Sequence, residues 1–147
     1  MSNRILIDSS LLIEYIKGNK ILLLTNLLSD DENECYINET VVSEYLFHLL
    51  KITSNISPKS VQSSNKIRET LEKSGAYDLL QRFSFVITKE NLVFLVPQYM
   101  KQYNLLPNDA IMLATCKMHN ITKLASHDTD FIMPYQEEGI ELLIEKD

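Results

Sequence analysis

Apolar positions along the chain switch repeatedly between a period of two and a period near 3.6, the marks of strands and helices respectively. Residues 4–8 are rich in Ile and Leu and read as a buried strand ending on Asp8. Leu11, Leu12, Tyr15 and Ile16 continue at helical spacing until Gly18, and residues 21–28 read as a second short helix before the acidic stretch 29–34. Residues 35–37 make a short strand, followed by a helix that starts near 38–40 and carries Val41, Val42, Tyr45, Leu46 and Leu49 on one wide face. A turn at 55–58 leads into a polar surface helix over 60–73, which has only Val61, Ile67 and Leu71 at helical spacing and ends at Gly75.

The second half repeats the alternation. Residues 77–83 form a short helix, 85–88 a strand, and 91–103 a helix that Pro97 either kinks or begins. Pro107, Asn108 and Asp109 mark a helix start, 110–119 is the helix, and Asn120 is its left-handed end. Strands at 121–126 and 140–144 complete the chain. This order predicts a three-layer α/β/α fold with a mainly parallel central sheet, and the absence of any linker or repeat predicts one domain over residues 1–147.

Composition narrows the class. With 147 residues, 45% of them hydrophobic and only 3 Gly and 4 Pro, the chain can bury a substantial core. No apolar run approaches the roughly 20 residues of a membrane span, and Asp8 and Glu14 interrupt the only stretch that resembles a leader, so a cytoplasmic protein is expected. Cys35 and Cys116 sit in apolar segments without metal-ligand spacing and read as small hydrophobes. The net charge of −6 argues against a general nucleic-acid binder. Its distribution changes that picture, because Lys51, Lys59, Lys66, Arg68 and Lys73 give residues 51–73 a net charge of +3 and leave the remainder at −9.

Four acids fall where such a sheet collects its ligands, at strand ends and helix starts: Asp8 in ILIDSSLLIEY, Glu44 in VVSEYL, Asp109 in LPNDAIMLA and Asp128 in LASHDTDF. Each taken singly has a plain explanation, such as a helix cap for Asp8, a dipole-favoured first turn for Asp109 or an Asx turn at 128–130. Together they are carboxylates beside a core with no cluster of Arg or Lys to neutralise them. Hard oxygen donors of this kind suit Mg²⁺ or Mn²⁺, which would generate a water nucleophile for phosphoryl chemistry. His127 reads as a bystander, His48 and His119 as helix residues, and Phe94, Tyr99, Met100 and Tyr103 as core or dimer packing.

The same four blocks resemble the signature of PIN-domain ribonucleases, above all the single-domain VapC-like toxins, over nearly the whole chain. The resemblance implies a metal-dependent endoribonuclease that forms a homodimer and is inhibited by a small antitoxin protein. It matches Asp8, Glu44, Asp109 and Asp128 to the catalytic, metal-binding acids and Asp130 to a further metal-binding position. Ser10 and Ser126 match hydroxyl positions behind them, with Ser126 standing where Thr is more usual. RNA would be the substrate, gripped through its backbone by the basic residues of 51–73.

Rival readings fit less well. A haloacid-dehalogenase phosphatase needs a second Asp where Ser10 stands, and no GxxxxGK[ST] phosphate loop is present. A receiver-like Mg²⁺-binding signalling domain needs paired acids at the first strand end and would leave Glu44 without a role. A non-catalytic PIN adaptor would have no reason to keep four acids.

Overall fold

The computed structural model describes residues 2–129 and 132–146. The central strand is β1 (Asn3–Ile7), whose Ile5, Leu6 and Ile7 are all buried because helices cover the sheet on both faces. β1 pairs in parallel with β2 (Asn33–Ile37) on one side and β4 (Lys123–Ala125) on the other. Outside these lie β3 (Ser84–Phe85) and β5 (Glu141–Leu143), giving the order β3-β2-β1-β4-β5 with every pairing parallel.

Parallel neighbours need crossovers, and right-handed crossovers set the layers. From β1 the chain moves outward in one direction through α1 (Ser9–Lys17), α2 (Leu22–Ser29), β2, α3 (Glu39–Ser54), α4 (Pro58–Ser63), α5 (Ile67–Ser74) and α6 (Ala76–Leu80) to β3. Within this layer α1 packs on α3, and α3 on α4 and α5. The chain then reverses direction across the sheet through α7 (Leu92–Tyr103) and α8 (Pro107–Met118), which pack on one another, to β4, α9 (Ile132–Glu137) and β5. In α8, Ala110 and Ala114 are fully buried beside Leu113 and Cys116, so small residues let this helix lie close to its neighbours.

Two differences from the expectation have local causes. The helix expected over 60–73 is two helices, because Asn65 takes a left-handed φ of 59° between α4 and α5. The last two strands were read as consecutive, but α9 carries the chain between them. Pro97, expected either to kink the helix or to begin it, lies inside α7; the Val93 carbonyl that loses its donor is on a residue 70% exposed, where water can serve. Of the aromatic residues on this helix, Tyr99 is buried while Phe94 is 78% exposed. Cys35 and Cys116 are free and buried, and burial pushes their thiols up, to about 11 and about 12.

Candidate metal and phosphoryl-transfer site

The C-terminal ends of β1 and β4 lie side by side, in the register Ile7↔Ala125, and the ladder continues with Asp8 N–H donating to Ala125 O at 2.9 Å. Successive connections leave this point in opposite directions, so it is the topological switch point of the sheet, where a crevice forms. Asp8 occupies the N-cap position of α1 yet makes no side-chain cap hydrogen bond. Its Oδ2 instead accepts from Ser10 Oγ at 2.7 Å and from Ser126 Oγ at 2.9 Å. Those hydroxyls are fixed in turn: Ser10 Oγ accepts from His127 N–H and Ser126 Oγ from Asp128 N–H, each at 3.0 Å. Two segments, 8–10 and 126–128, are thus bound together around one carboxylate.

Glu44 stands on the α3 face turned to α1, half-buried, with Ser9 Oγ donating to its Oε1 at 3.3 Å. Burial pushes its carboxyl above the ordinary range and the charge of Asp8 adds to this, while hydrogen bonds from Ser9 and Asn108 act the other way. Asp109 lies in the first turn of α8, where its backbone carbonyl accepts from Tyr135 OH at 3.1 Å. Burial pushes the Tyr135 phenol far up, and the charges of Asp109, Asp8 and Asp128 contribute, so all three acids stand within electrostatic reach of this hydroxyl. Asp128 is exposed and, with Ser10, Glu14, Lys20, His127 and Thr129, lines an open pocket of about 470 Å³ beside Asp8. Asp130 lies outside the described residues.

Among the described residues, no three His, Cys, Asp or Glu side chains are drawn together into a ready-made cage. Nor does any described Lys or Arg form an ion pair with Asp8 or Glu44. The donor set still fits a hard dication. It consists of carboxylate oxygens, two of them repelling one another, and hydrated Mg²⁺ is commonly held by one or two carboxylates with water completing its shell.

Asn108 and Tyr135 are two contributors that the sequence reading passed over. Asn108 reads from the sequence as part of a helix start, and its place beside Asp109 in PNDA is the signal that marks it. Tyr135 belongs to α9, which was not foreseen. The five basic residues of 51–73 do not form one patch. Lys51 and His48 of α3 line one groove with Lys17 of α1, whereas Lys66 and Lys73 line another between the end of α3 and α5, where Lys73 pairs with Glu69 at 3.1 Å. Lys59 donates to Gln62 on α4, and Arg68 is exposed on α5.

An all-parallel sheet with Asp8 at its switch point and Glu44 close enough for its charge to be felt defines the class: an α/β protein with an acidic site. The chain belongs to the PIN domain family, whose model matches residues 5–134. It is 32% identical over 132 residues to Ribonuclease VapC2 of Methanocaldococcus jannaschii, covering 88% of this chain and 87% of that one. Ribonuclease VapC6 of the same organism is 34% identical over 154 residues, covering 88% and 91%. Among solved structures, a chain of VapBC2 from Rickettsia felis, bound to a promoter DNA fragment, superposes with a TM-score of 0.62 at 14% identity, covering 97% of this chain and 99% of that one. A chain of FitAcB from Neisseria gonorrhoeae gives 0.63 at 18% identity, covering 95% and 96%. At such identities these two likenesses speak for the fold alone.

Proposed function

We propose that this chain is an endoribonuclease dependent on Mg²⁺ or Mn²⁺ and the toxin of a toxin–antitoxin pair, acting on RNA in the cytoplasm. The observation that carries the reading is the orientation of Asp8, which leaves its helix uncapped and is turned by two hydroxyls towards the switch point. A side chain kept only to cap α1 would bond to the α1 backbone instead. The names of the two ribonuclease relatives support the activity, and the toxin–antitoxin complexes among the structural neighbours support a small protein partner.

Asp8, Glu44, Asp109 and Asp128 would hold the ion, with Asp130 as a further ligand. When bound, a divalent ion lowers the pKa of water and stabilises negative charge on phosphoryl oxygens. The chain itself supplies position. Ser10 and Ser126 fix the rotamer of Asp8, Ser9 and Asn108 steady Glu44, and Tyr135 ties α9 to the first turn of α8 beneath Asp109. No side-chain nucleophile is needed, since water attacks phosphorus directly. The exposed Val93 and Phe94 of α7 offer apolar surface for a homodimer or the antitoxin.

The test is cleavage of RNA by purified wild-type and Asp8→Asn proteins in Mn²⁺ and in chelator. Wild type should cut only with the ion, and the variant should lose at least about 100-fold, the order of a lost electrostatic contact at a reacting group. Activity in chelator, or full activity of Asp8→Asn, would remove the mechanism and leave Asp8 a structural residue.

A further inference from the structure

We infer that the groove between α1 and α3 is an RNA phosphate subsite, built by Lys17, His48 and Lys51, which leads the substrate strand away from the carboxylates; this rests on the endoribonuclease reading above. On α3, Glu44, His48, Lys51 and Asn55 follow the spacing i, i+4, i+7, i+11 and share one face. On α1, Ser10, Glu14 and Lys17 follow i, i+4, i+7 and do the same. Both helices start at the same edge of the sheet and pack together, so each stripe begins at the acidic site and carries a lysine one to two turns further on.

The two stripes meet in a groove of about 470 Å³ lined by Lys17, His48, Lys51, Ile52 and Asn55. Lys51 is about 10 Å along the helix axis from Glu44, the span of seven residues. A strand whose scissile phosphate sits at Asp8 and Glu44 would therefore place a neighbouring phosphate among Lys17, His48 and Lys51. All three of these side chains are exposed. Phe47 is 56% exposed, and its ring meets His48 edge-on with centroids 5.8 Å apart, which leaves an aromatic face on which a base can stack. The acid beside the path is Glu14, which approaches Lys17 at 3.6 Å and offsets part of its charge. Lys73 of the α5 groove is held more closely by its own acid, Glu69, at 3.1 Å.

Binding of a fluorescent single-stranded oligoribonucleotide to the Asp8→Asn protein, followed by anisotropy across a salt series, reads the groove without cleavage. Adding Lys17→Gln and Lys51→Gln should weaken binding about tenfold and lower the salt slope by about 1.4, the share of two phosphate contacts on a single strand. Glu14→Gln should tighten binding, a change of opposite sign that a misfolded variant would not produce, and thermal melts should match the parent. The Lys66→Gln, Lys73→Gln pair should change the slope less. An unchanged slope in the Lys17, Lys51 pair, weaker binding in Glu14→Gln, or an equal loss in the Lys66, Lys73 pair would each overturn the subsite while leaving the nuclease intact. Loss of binding to poly-glutamate with RNA binding unaltered would overturn it in favour of an acidic protein partner. A parent protein that binds no RNA would overturn the nuclease reading together with the groove.

Discussion

A single residue can settle which of two local explanations applies, and Asp8 does so by what its side chain accepts. Sequence alone left a helix cap and a metal ligand equally open, because both place an Asp at the start of a helix. The distinction lies in hydroxyls 2 and 118 positions away, and only the second partner requires the fold. Ser10 was legible from proximity, and Ser126 from the block it shares with Asp128. Asn108 and Tyr135 were not, since their roles depend on which helix ends meet. Tyr45 offers the opposite case. Its ring fills the core at 1% exposure, but its hydroxyl is buried without a hydrogen-bond partner among the described residues, and burial pushes the phenol up to about 12. Tyr45→Phe should therefore leave stability unchanged or raise it by about 1 kcal/mol, because it removes a desolvated group that receives nothing in return. Urea denaturation would measure this. A loss larger than about 1 kcal/mol would mean that the hydroxyl has a partner after all.

At the scale of elements, most strands and long helices were legible because their apolar periods run for several residues, while short pieces with one or two core contacts were not. α9 has only Tyr135 buried and contains Pro134, so neither period nor propensity announced it. A topological argument would have found it: two parallel neighbours cannot be joined without a crossover, and the interval between the strands at 121–126 and 140–144 had room for one. The break at Asn65 was hidden in a different way, since Asn is tolerated in helices and reveals its left-handed preference only when the chain must turn. Asn38 joins two elements and gives the element-level prediction. Its Oδ1 accepts from Val41 N–H at 3.0 Å to cap α3, while its Nδ2 donates to Thr115 Oγ1 at 3.0 Å on α8, all at 1% exposure. Asn38→Ala should cost about 2–3 kcal/mol, a lost cap of about 1 plus a buried bond of similar worth. Denaturant melts would check it, and a cost below about 1 kcal/mol would mean that the α3–α8 tie contributes little beyond the cap.

For the whole molecule, the sheet order and the charge distribution meet at one place. A chain that runs outward from β1 and then reverses leaves its crevice between β1 and β4, with Asp8 at the end of β1 and Tyr135 OH on the Asp109 carbonyl. Folding without a cation brings the like charges of Asp8 and Glu44 together, and the Glu44 carboxyl is pushed up by burial first and by the Asp8 charge second. Two consequences follow for global stability, both independent of catalysis. A divalent ion that binds only the folded state should raise the melting temperature with concentration, by about 1.4 kcal/mol at ten times its dissociation constant, or roughly 3–6 °C for a domain of this size. Asp8→Asn should move the two conditions in opposite directions. In chelator it should melt higher than wild type, because one repelling charge is gone while the Ser10 and Ser126 hydroxyls keep an oxygen acceptor. In Mg²⁺ or Mn²⁺ it should gain little, because a charged ligand is gone. Calorimetry of both proteins with and without the ion provides the measurement. Equal gains for the two proteins would place the ion elsewhere, and a lower melting temperature for the variant in chelator would show that the Asp8 charge stabilises the apo fold.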